Sequence, residues 1–110
     1  CIDDYCHANQ LSTALEEVLD FDRTVGAVLE WAEEDGETLV VVTADHETGA
    51  MTLQGGSISR GEVECVFGNQ SHSGVLVPVY AYGPGAERFT GIMENAEVGQ
   101  RLIALTLKND

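Results

Sequence analysis

The chain has 110 residues, 44% of them hydrophobic, so it is long enough for one ordinary core and too short for two. Its 5 basic and 19 acidic residues give a net charge of −14, which disfavours nucleic acid and anionic membrane surfaces as partners. The longest apolar stretch, 39–44, is far shorter than the roughly 20 residues that span a bilayer, and no signal segment opens the chain. We therefore expect one globular unit at most, without a membrane span or an export signal.

The first long element is predicted to be an amphipathic helix that stops at Gly36. Ser12 or Thr13 can cap its start. Apolar residues then recur at three- and four-residue spacing, namely Leu15, Val18, Leu19, Val25, Val28, Leu29 and Ala32. The polar side carries a run of carboxylates that we interpret as a solvated face, made of Glu16, Glu17, Asp20, Asp22, Glu30, Glu33 and Glu34.

Two apolar runs predict buried strands. Residues 38–43 follow a turn at Asp35–Gly36 and lack alternation, as in a strand buried on both faces. Residues 75–82 form the second run, in which Pro78 favours a sheet edge or a bulge, and 83–85 end it. The order of helix, tight turn and buried strand indicates the α/β class.

The remaining elements are a hairpin and a second helix. The glycine-rich residues 49–61 predict a mobile loop between short apolar pieces at 51–53 and 63–67, which suggests a hairpin beside the site. From Asn95 onward apolar residues recur at helical spacing, with Asn95 as a candidate cap and Lys108 near the carboxyl end. We expect this helix to pack back on the sheet.

The cysteines do not define a site. Cys1, Cys6 and Cys65 make an odd count without a C-x-x-C pair, so neither a disulfide framework nor a thiolate zinc site is supported. A bridge between Cys1 and Cys6 stays open as an alternative.

Three histidines lie in distinctive contexts. His7 follows Asp3 at i, i+4, a helical spacing that lets both side chains reach one ion, although taken alone an ordinary surface hydrogen bond is the commoner cause of such a pair. Asp45 and His46 follow a buried strand, where open α/β sheets bind ligands, although the pair could merely cap a loop. His72 lies in a flexible loop before a strand, and by itself it is an ordinary exposed histidine.

Together these residues predict a zinc site. Two carboxylates and three imidazoles form a nitrogen and oxygen ligand set that suits Zn²⁺. Bound cations would also let a strongly acidic chain hold an anionic substrate, because they invert the local potential.

The segments that carry these residues resemble the alkaline phosphatase family. Residues 43–49 read T-A-D-H-E-T-G, a signature of that family, and residues 2–9 resemble its I-D-x-x-x-H-A-N segment. Residues 71–74 and 77–86 resemble its H-T/S-G segment and the strand that leads to its final helix. The resemblance implies a partial three-layer α/β/α sandwich, a few strands flanked by a long N-terminal and a C-terminal helix. It also implies that 1–110 is a single C-terminal segment of the catalytic domain.

The resemblance also implies how the metal ligands divide. Asp3, His7 and His72 would be the protein ligands of one catalytic zinc, complete in this chain. Asp45 and His46 would be two ligands of a second zinc, which in the family also binds an N-terminal aspartate and touches a serine nucleophile. Two such ions about 4 Å apart support hydrolysis of phosphate monoesters through a phosphoserine.

Other parts of the family's machinery are missing from this sequence. No serine follows an aspartate, so no catalytic nucleophile is expected here, and no arginine matches the family's phosphate clamp. The ligands of the family's magnesium are also expected outside this chain. Ala50 stands where a second glycine is commoner, and we expect no loss of ligation from its small methyl group. The isolated chain is therefore predicted to be inactive.

The resemblance has further implications. The longer parent enzyme would be a homodimer that acts in the periplasm or outside the cell, without an organic cofactor. Two alternatives remain: a stand-alone zinc-binding module without catalysis, or a fragment whose exposed strand edges drive self-association.

Overall fold

The computed structural model describes residues 1–107, which form two compact units. The first contains 1–24 and 46–76, and the second contains 25–45 and the residues from 77 onward. Among the described residues, the buried hydrophobic side chains are Cys6, Ala14, Ala32 and Phe89. The expectation of a single unit with one ordinary core was therefore wrong, because most large apolar side chains stay accessible to solvent.

The elements follow one another along the chain as helix, helix, six strands and helix. The helices are α1 (Ile2–His7), α2 (Leu11–Asp35) and α3 (Asn95–Thr106). The strands are β1 (Val40–Thr43), β2 (Glu47–Thr48), β3 (Thr52–Ser57), β4 (Glu62–Val66), β5 (His72–Ser73) and β6 (Val79–Tyr82).

Helix α2 confirms the predicted long amphipathic helix. It begins at Leu11, so Ser12 and Thr13 lie inside its first turn and do not cap it. It ends before Gly36, whose amide donates to the carbonyl of Ala32 at 3.0 Å. The acidic side is exposed as predicted, with only Glu17 half-buried. Several apolar side chains of the helix are also exposed, including Leu19 at 58% and Trp31 at 57%.

The first unit contains two antiparallel strand pairs, one of which includes Glu47 and Thr48 of the T-A-D-H-E-T-G segment. Strand β2 pairs with β5, and β3 pairs with β4 across a 3-10 turn at Ile58–Arg60. The β3–β4 pair confirms the predicted hairpin, although residues 52–57 of the glycine-rich segment form strand β3 and do not belong to a loop. The register shifts between Leu53 and Gly55, which marks an irregularity in the ladder.

In the second unit, β1 and β6 form an antiparallel pair. Both strands are shorter than the apolar runs that predicted them, and Pro78 lies just before β6, where Thr43 Oγ1 donates to its carbonyl at 3.0 Å. Strand β1 is half-buried, whereas burial on both faces was predicted. Gly83 ends β6 at φ +99°, and a Cβ there would lie 2.2 Å from the carbonyl oxygen of Thr38. Only glycine fits this close approach.

Helix α3 confirms the predicted C-terminal helix. Glu94 occupies the N-cap position that was predicted for Asn95, and its side chain makes no capping hydrogen bond. The helix contacts a 3-10 turn at Ala86–Phe89, and its packing on the sheet stays a prediction. Lys108, which was predicted near its end, lies outside the described residues. None of the described helices is both long enough and apolar enough to cross a membrane.

Candidate metal centre

Three segments of the first unit bring the candidate ligands together. Helix α1 carries Asp3 and His7 at its two ends and contacts β2. His46 directly precedes β2, and His72 begins β5, where it pairs with Thr48. His72 therefore lies in a strand and not in the predicted flexible loop. This ladder fixes the position of a histidine that the sequence left unplaced.

The donor atoms of Asp3, His7 and His72 form a small triangle. His7 Nε2 lies 3.2 Å from His72 Nε2 and 3.5 Å from Asp3 Oδ1. His72 Nε2 lies 4.0 Å from the same Asp3 oxygen. The side chains of Asp3, His7 and His72 are 44%, 36% and 47% exposed, so solvent can reach the donor atoms of the triangle.

The size of this triangle fits one zinc ion. A point equidistant from atoms separated by 3.2, 3.5 and 4.0 Å lies about 2.1 Å from each of them. Zinc binds imidazole nitrogen and carboxylate oxygen at about 2.0–2.2 Å. Two nitrogen donors also favour zinc over magnesium, which prefers oxygen ligands.

His46 lies in the same cluster. Its ring stacks on that of His72 with centroids 3.5 Å apart and an interplanar angle of 21°. Asp3, His46 and His72 each offer a donor atom, and these atoms lie within 4.8 Å of one another. The resemblance assigned His46 to a second ion together with Asp45. The structure places His46 beside His72, one of the ligands assigned to the first ion, and the assignment of Asp45 and His46 to a second ion stays a prediction.

Two further groups hold these ligands by hydrogen bonds. Thr48 Oγ1 donates to Asp3 Oδ1 at 2.5 Å and lies 3.2 Å from His46 Nδ1. His7 Nδ1 lies 2.8 Å from the carbonyl oxygen of Gln70. The hydrogen bond from Thr48 holds the pKa of the Asp3 carboxyl below its ordinary value, and the three histidines act in the same direction. Asp3 is thereby kept in the ionised form that a metal needs.

Glu47 ties the two strands of the site together. One of its carboxylate oxygens accepts a hydrogen bond from the Met51 amide at 3.1 Å, and the other accepts one from the Ser73 hydroxyl. Glu47 and Ser73 are cross-strand partners in the β2–β5 ladder. This bridge stands directly beside the pair formed by Thr48 and His72.

The backbone has positive φ angles at Gly49, the last residue of the T-A-D-H-E-T-G segment, and at Ala50, which follows it. Gly49 has φ +86°, and a Cβ there would lie 2.8 Å from Phe67 Cδ1 and 2.9 Å from the Cys6 carbonyl oxygen. Glycine therefore lets the segment approach α1 closely. Ala50 follows at φ 48°, a left-handed backbone conformation that residues with a Cβ rarely adopt.

The cysteines are all free. Cys1 is exposed, Cys65 is half-buried and Cys6 is buried. Burial raises the pKa of the Cys6 thiol, and the carboxylates of Asp3 and Glu47 add to the effect. A protonated, buried thiol is a poor metal ligand.

The sequence contained a signal for Thr48 that the prediction did not use. Residues two apart on an extended segment share a face, so this spacing predicts that the side chains of Thr48 and His46 lie on the same face. The role of Gln70 had no such signal, because it uses only a backbone carbonyl.

The chain is similar to phosphatases over most of its length. A family model described as alkaline phosphatase matches residues 1–66. Streptomycin-6-phosphate phosphatase of Streptomyces griseus is 37% identical over 120 aligned residues, covering 88% of this chain and 25% of that protein. Alkaline phosphatase H of Pseudomonas aeruginosa (strain UCBPP-PA14) is 36% identical, covering 88% and 24%. The chain thus spans about a quarter of the length of these relatives.

Solved structures show the same likeness. Alkaline phosphatase from the Antarctic bacterium TAB5 superposes with a TM-score of 0.85 and 43% identity, covering 96% of this chain and 32% of that one. A histidine-to-aspartate variant of the TAB5 enzyme with Mg bound in its M3 site also has a TM-score of 0.85, at 41% identity, covering 96% and 33%. This likeness confirms the predicted α/β class and the partial alkaline-phosphatase-like fold.

Proposed function

Because this chain belongs to the alkaline phosphatase family, we propose that it is the metal-binding part of a zinc-dependent enzyme that hydrolyses phosphate monoesters. Asp3, His7 and His72 hold one zinc ion in this proposal. The observation that carries it is the triangle of donor atoms, whose sides of 3.2, 3.5 and 4.0 Å suit a single ion.

The residues of the triangle have distinct tasks. Asp3 supplies the negative charge, which the Thr48 hydrogen bond keeps available. His7 presents Nε2 because its Nδ1 is engaged by the Gln70 carbonyl. A zinc ion bound there would polarise a phosphoryl oxygen and lower the pKa of bound water. The positive charge would also offset an acidic chain that otherwise repels a phosphate ester.

The rest of the catalytic machinery is assigned to a longer parent enzyme. We propose that 1–110 is a single C-terminal segment of the catalytic domain, in line with the quarter of its relatives' length that it spans. In the parent, Asp45 and His46 would bind a second zinc. A serine elsewhere would form the phosphoserine, and further residues would bind magnesium. No serine of this chain follows an aspartate, so the chain alone should be inactive.

The substrate class, location and oligomeric state of the parent are further parts of the proposal. One relative is named for the phosphatase action on streptomycin-6-phosphate, which is a phosphate monoester. We propose the same substrate class here. We also propose a periplasmic or extracellular location and a homodimeric parent.

A second proposal is that the chain acts without catalysis, as a zinc-binding module or a self-associating fragment. The exposed apolar side chains favour the latter, since Leu53, Ile58 and Leu76 are 67%, 104% and 76% exposed. Sedimentation at rising concentration tests it, and a monomer at all concentrations contradicts self-association.

Calorimetry with zinc, paired with p-nitrophenyl phosphate hydrolysis, tests the main proposal. The wild-type chain should bind one zinc tightly at the triangle without turnover, and His72→Ala should lose this binding while keeping its circular dichroism. Absence of zinc binding by the wild type would contradict a preformed site. Turnover by the metal-loaded wild type would contradict the assignment of the nucleophile to another part of the parent.

A further inference from the structure

The hydroxyl of Thr48 lies between a ligand assigned to one ion and a ligand assigned to the other. Its Oγ1 is 2.5 Å from Asp3 Oδ1 and 3.2 Å from His46 Nδ1. Thr48 is also the cross-strand partner of His72 in the β2–β5 ladder. One polar atom therefore touches two candidate ligands and stands on a strand position opposite a third.

The direction of the two hydrogen bonds follows from a proton count. A hydroxyl has one proton, and an ionised carboxylate can only accept. The short contact to Asp3 therefore uses the Thr48 proton. The contact to His46 then requires that Nδ1 carries a proton and donates it to Oγ1. In a neutral ring this leaves the lone pair on Nε2.

His7 is arranged in the same way by a different group. The carbonyl of Gln70 can only accept, so His7 Nδ1 donates to it at 2.8 Å. The lone pair of neutral His7 is therefore on Nε2, the atom that lies 3.2 Å from His72 Nε2. Two histidines of the cluster thus have their tautomers set by hydrogen bonds at Nδ1, which places the lone pair that could bind an ion on Nε2.

We propose that Thr48 is a positioning residue that orients Asp3 and fixes the Nδ1-protonated tautomer of His46, so that one hydroxyl prepares ligands of both zinc ions. The inference rests on the proposed function in assigning Asp3 and His46 to zinc. Its hydrogen-bond chain, from His46 through Thr48 to Asp3, stands on the geometry alone.

Thr48→Val tests this arrangement, because valine keeps the shape and removes the hydroxyl. Zinc affinity at the triangle should fall about 10- to 100-fold, as for other groups that orient metal ligands. Thr48→Ser keeps the hydroxyl and should restore affinity to near the wild-type value. Thr52→Val makes the same change on exposed β3, where the hydroxyl only approaches the Ala50 carbonyl at 3.4 Å, and should leave affinity unchanged.

A second readout is independent of zinc. Imidazole ¹⁵N chemical shifts of the zinc-free chain at about pH 8.5, well above the ordinary histidine pKa, report the tautomer of each ring. His46 should be Nδ1-protonated in the wild type and in Thr48→Ser, and a mixture of tautomers in Thr48→Val. If wild-type His46 carries its proton on Nε2, or if Thr48→Val changes neither tautomer nor affinity, the proposal is wrong. Because the tautomer is read without metal, a wild type that binds no zinc would overturn the proposed function and leave this test decisive.

Discussion

The Nε2 atoms of His7 and His72 face each other at 3.2 Å, although the residues are 65 positions apart in the chain. His7 closes helix α1, and His72 opens strand β5. Their approach depends on the contact of α1 with β2 and on the β2–β5 ladder. The stability of the α1–β2 contact and of the β2–β5 ladder therefore decides whether the candidate metal centre forms.

Replacement of Ala50 by glycine should stabilise the chain. Ala50 has φ 48°, and the left-handed region costs a residue with a Cβ about 1 kcal/mol. We expect Ala50→Gly to raise the free energy of unfolding in urea by about that amount. Ala27→Gly in the exposed middle of α2 is the matched control, and it should lower stability by about 1 kcal/mol. Equal losses in both variants would show that Ala50 is not strained.

Gly49 should not tolerate alanine. The new Cβ would lie 2.8 Å from Phe67 Cδ1 and 2.9 Å from the Cys6 carbonyl, in a backbone with φ +86°. We expect Gly49→Ala to lower the free energy of unfolding by about 1–3 kcal/mol and to weaken zinc binding, because the close approach to α1 is lost.

The matched control for Gly49 is Gly26→Ala. Gly26 lies inside α2, and a Cβ there would meet nothing within 4 Å. Alanine is the better helix former, so this variant should gain up to about 1 kcal/mol. A Gly49→Ala variant as stable as Gly26→Ala would refute the close packing.

Removal of the Ser73 hydroxyl should loosen the β2–β5 pair. Ser73 donates to one oxygen of Glu47, whose other oxygen accepts from the Met51 amide. We expect Ser73→Ala to lower stability by about 1.5 kcal/mol, as is typical of a hydrogen bond to a charged group. Ser12→Ala, at an exposed position of α2, should not lower it. Thermal unfolding followed by circular dichroism compares the two, and indistinguishable midpoints would contradict a structural role of the bridge.

The cysteines should react in the order of their exposure. Cys1 is exposed and Cys6 is 7% exposed, with its pKa raised by burial. Iodoacetamide at neutral pH should label Cys1 first and Cys6 only after denaturation, as read by peptide mass spectrometry. Cys65, which is half-buried, should fall between them. Rapid labelling of native Cys6 would show that α1 is not packed as described.

The fold was predictable where a pattern repeats over many residues. Helix α2 extends over 25 residues, so its apolar spacing and Gly36 defined it well. Strand limits were less predictable, because β1 and β6 begin only where their ladder begins, inside the apolar runs that predicted them. Burial on both faces of β1 could not follow from composition alone, since it depends on the layers that pack against each face of the sheet.

The candidate site was predicted residue by residue, and the division of its ligands between two ions stays a prediction. Spacing and resemblance selected Asp3, His7, His46 and His72, and the structure brings these four together. The stacking of His46 on His72 could not be predicted, because it depends on the register that pairs Thr48 with His72.

X-ray absorption at the zinc K edge of the zinc-loaded chain tests the central assignment most directly. Ligation by Asp3, His7 and His72 predicts only nitrogen and oxygen neighbours at about 2.0–2.2 Å, with the outer-shell pattern of two imidazoles. Asp3→Asn should weaken binding, whereas Asp4→Asn, one position away on the exposed side of α1, should not. A sulfur shell at about 2.3 Å would mean that a cysteine binds the ion, and it would contradict the proposed ligand set.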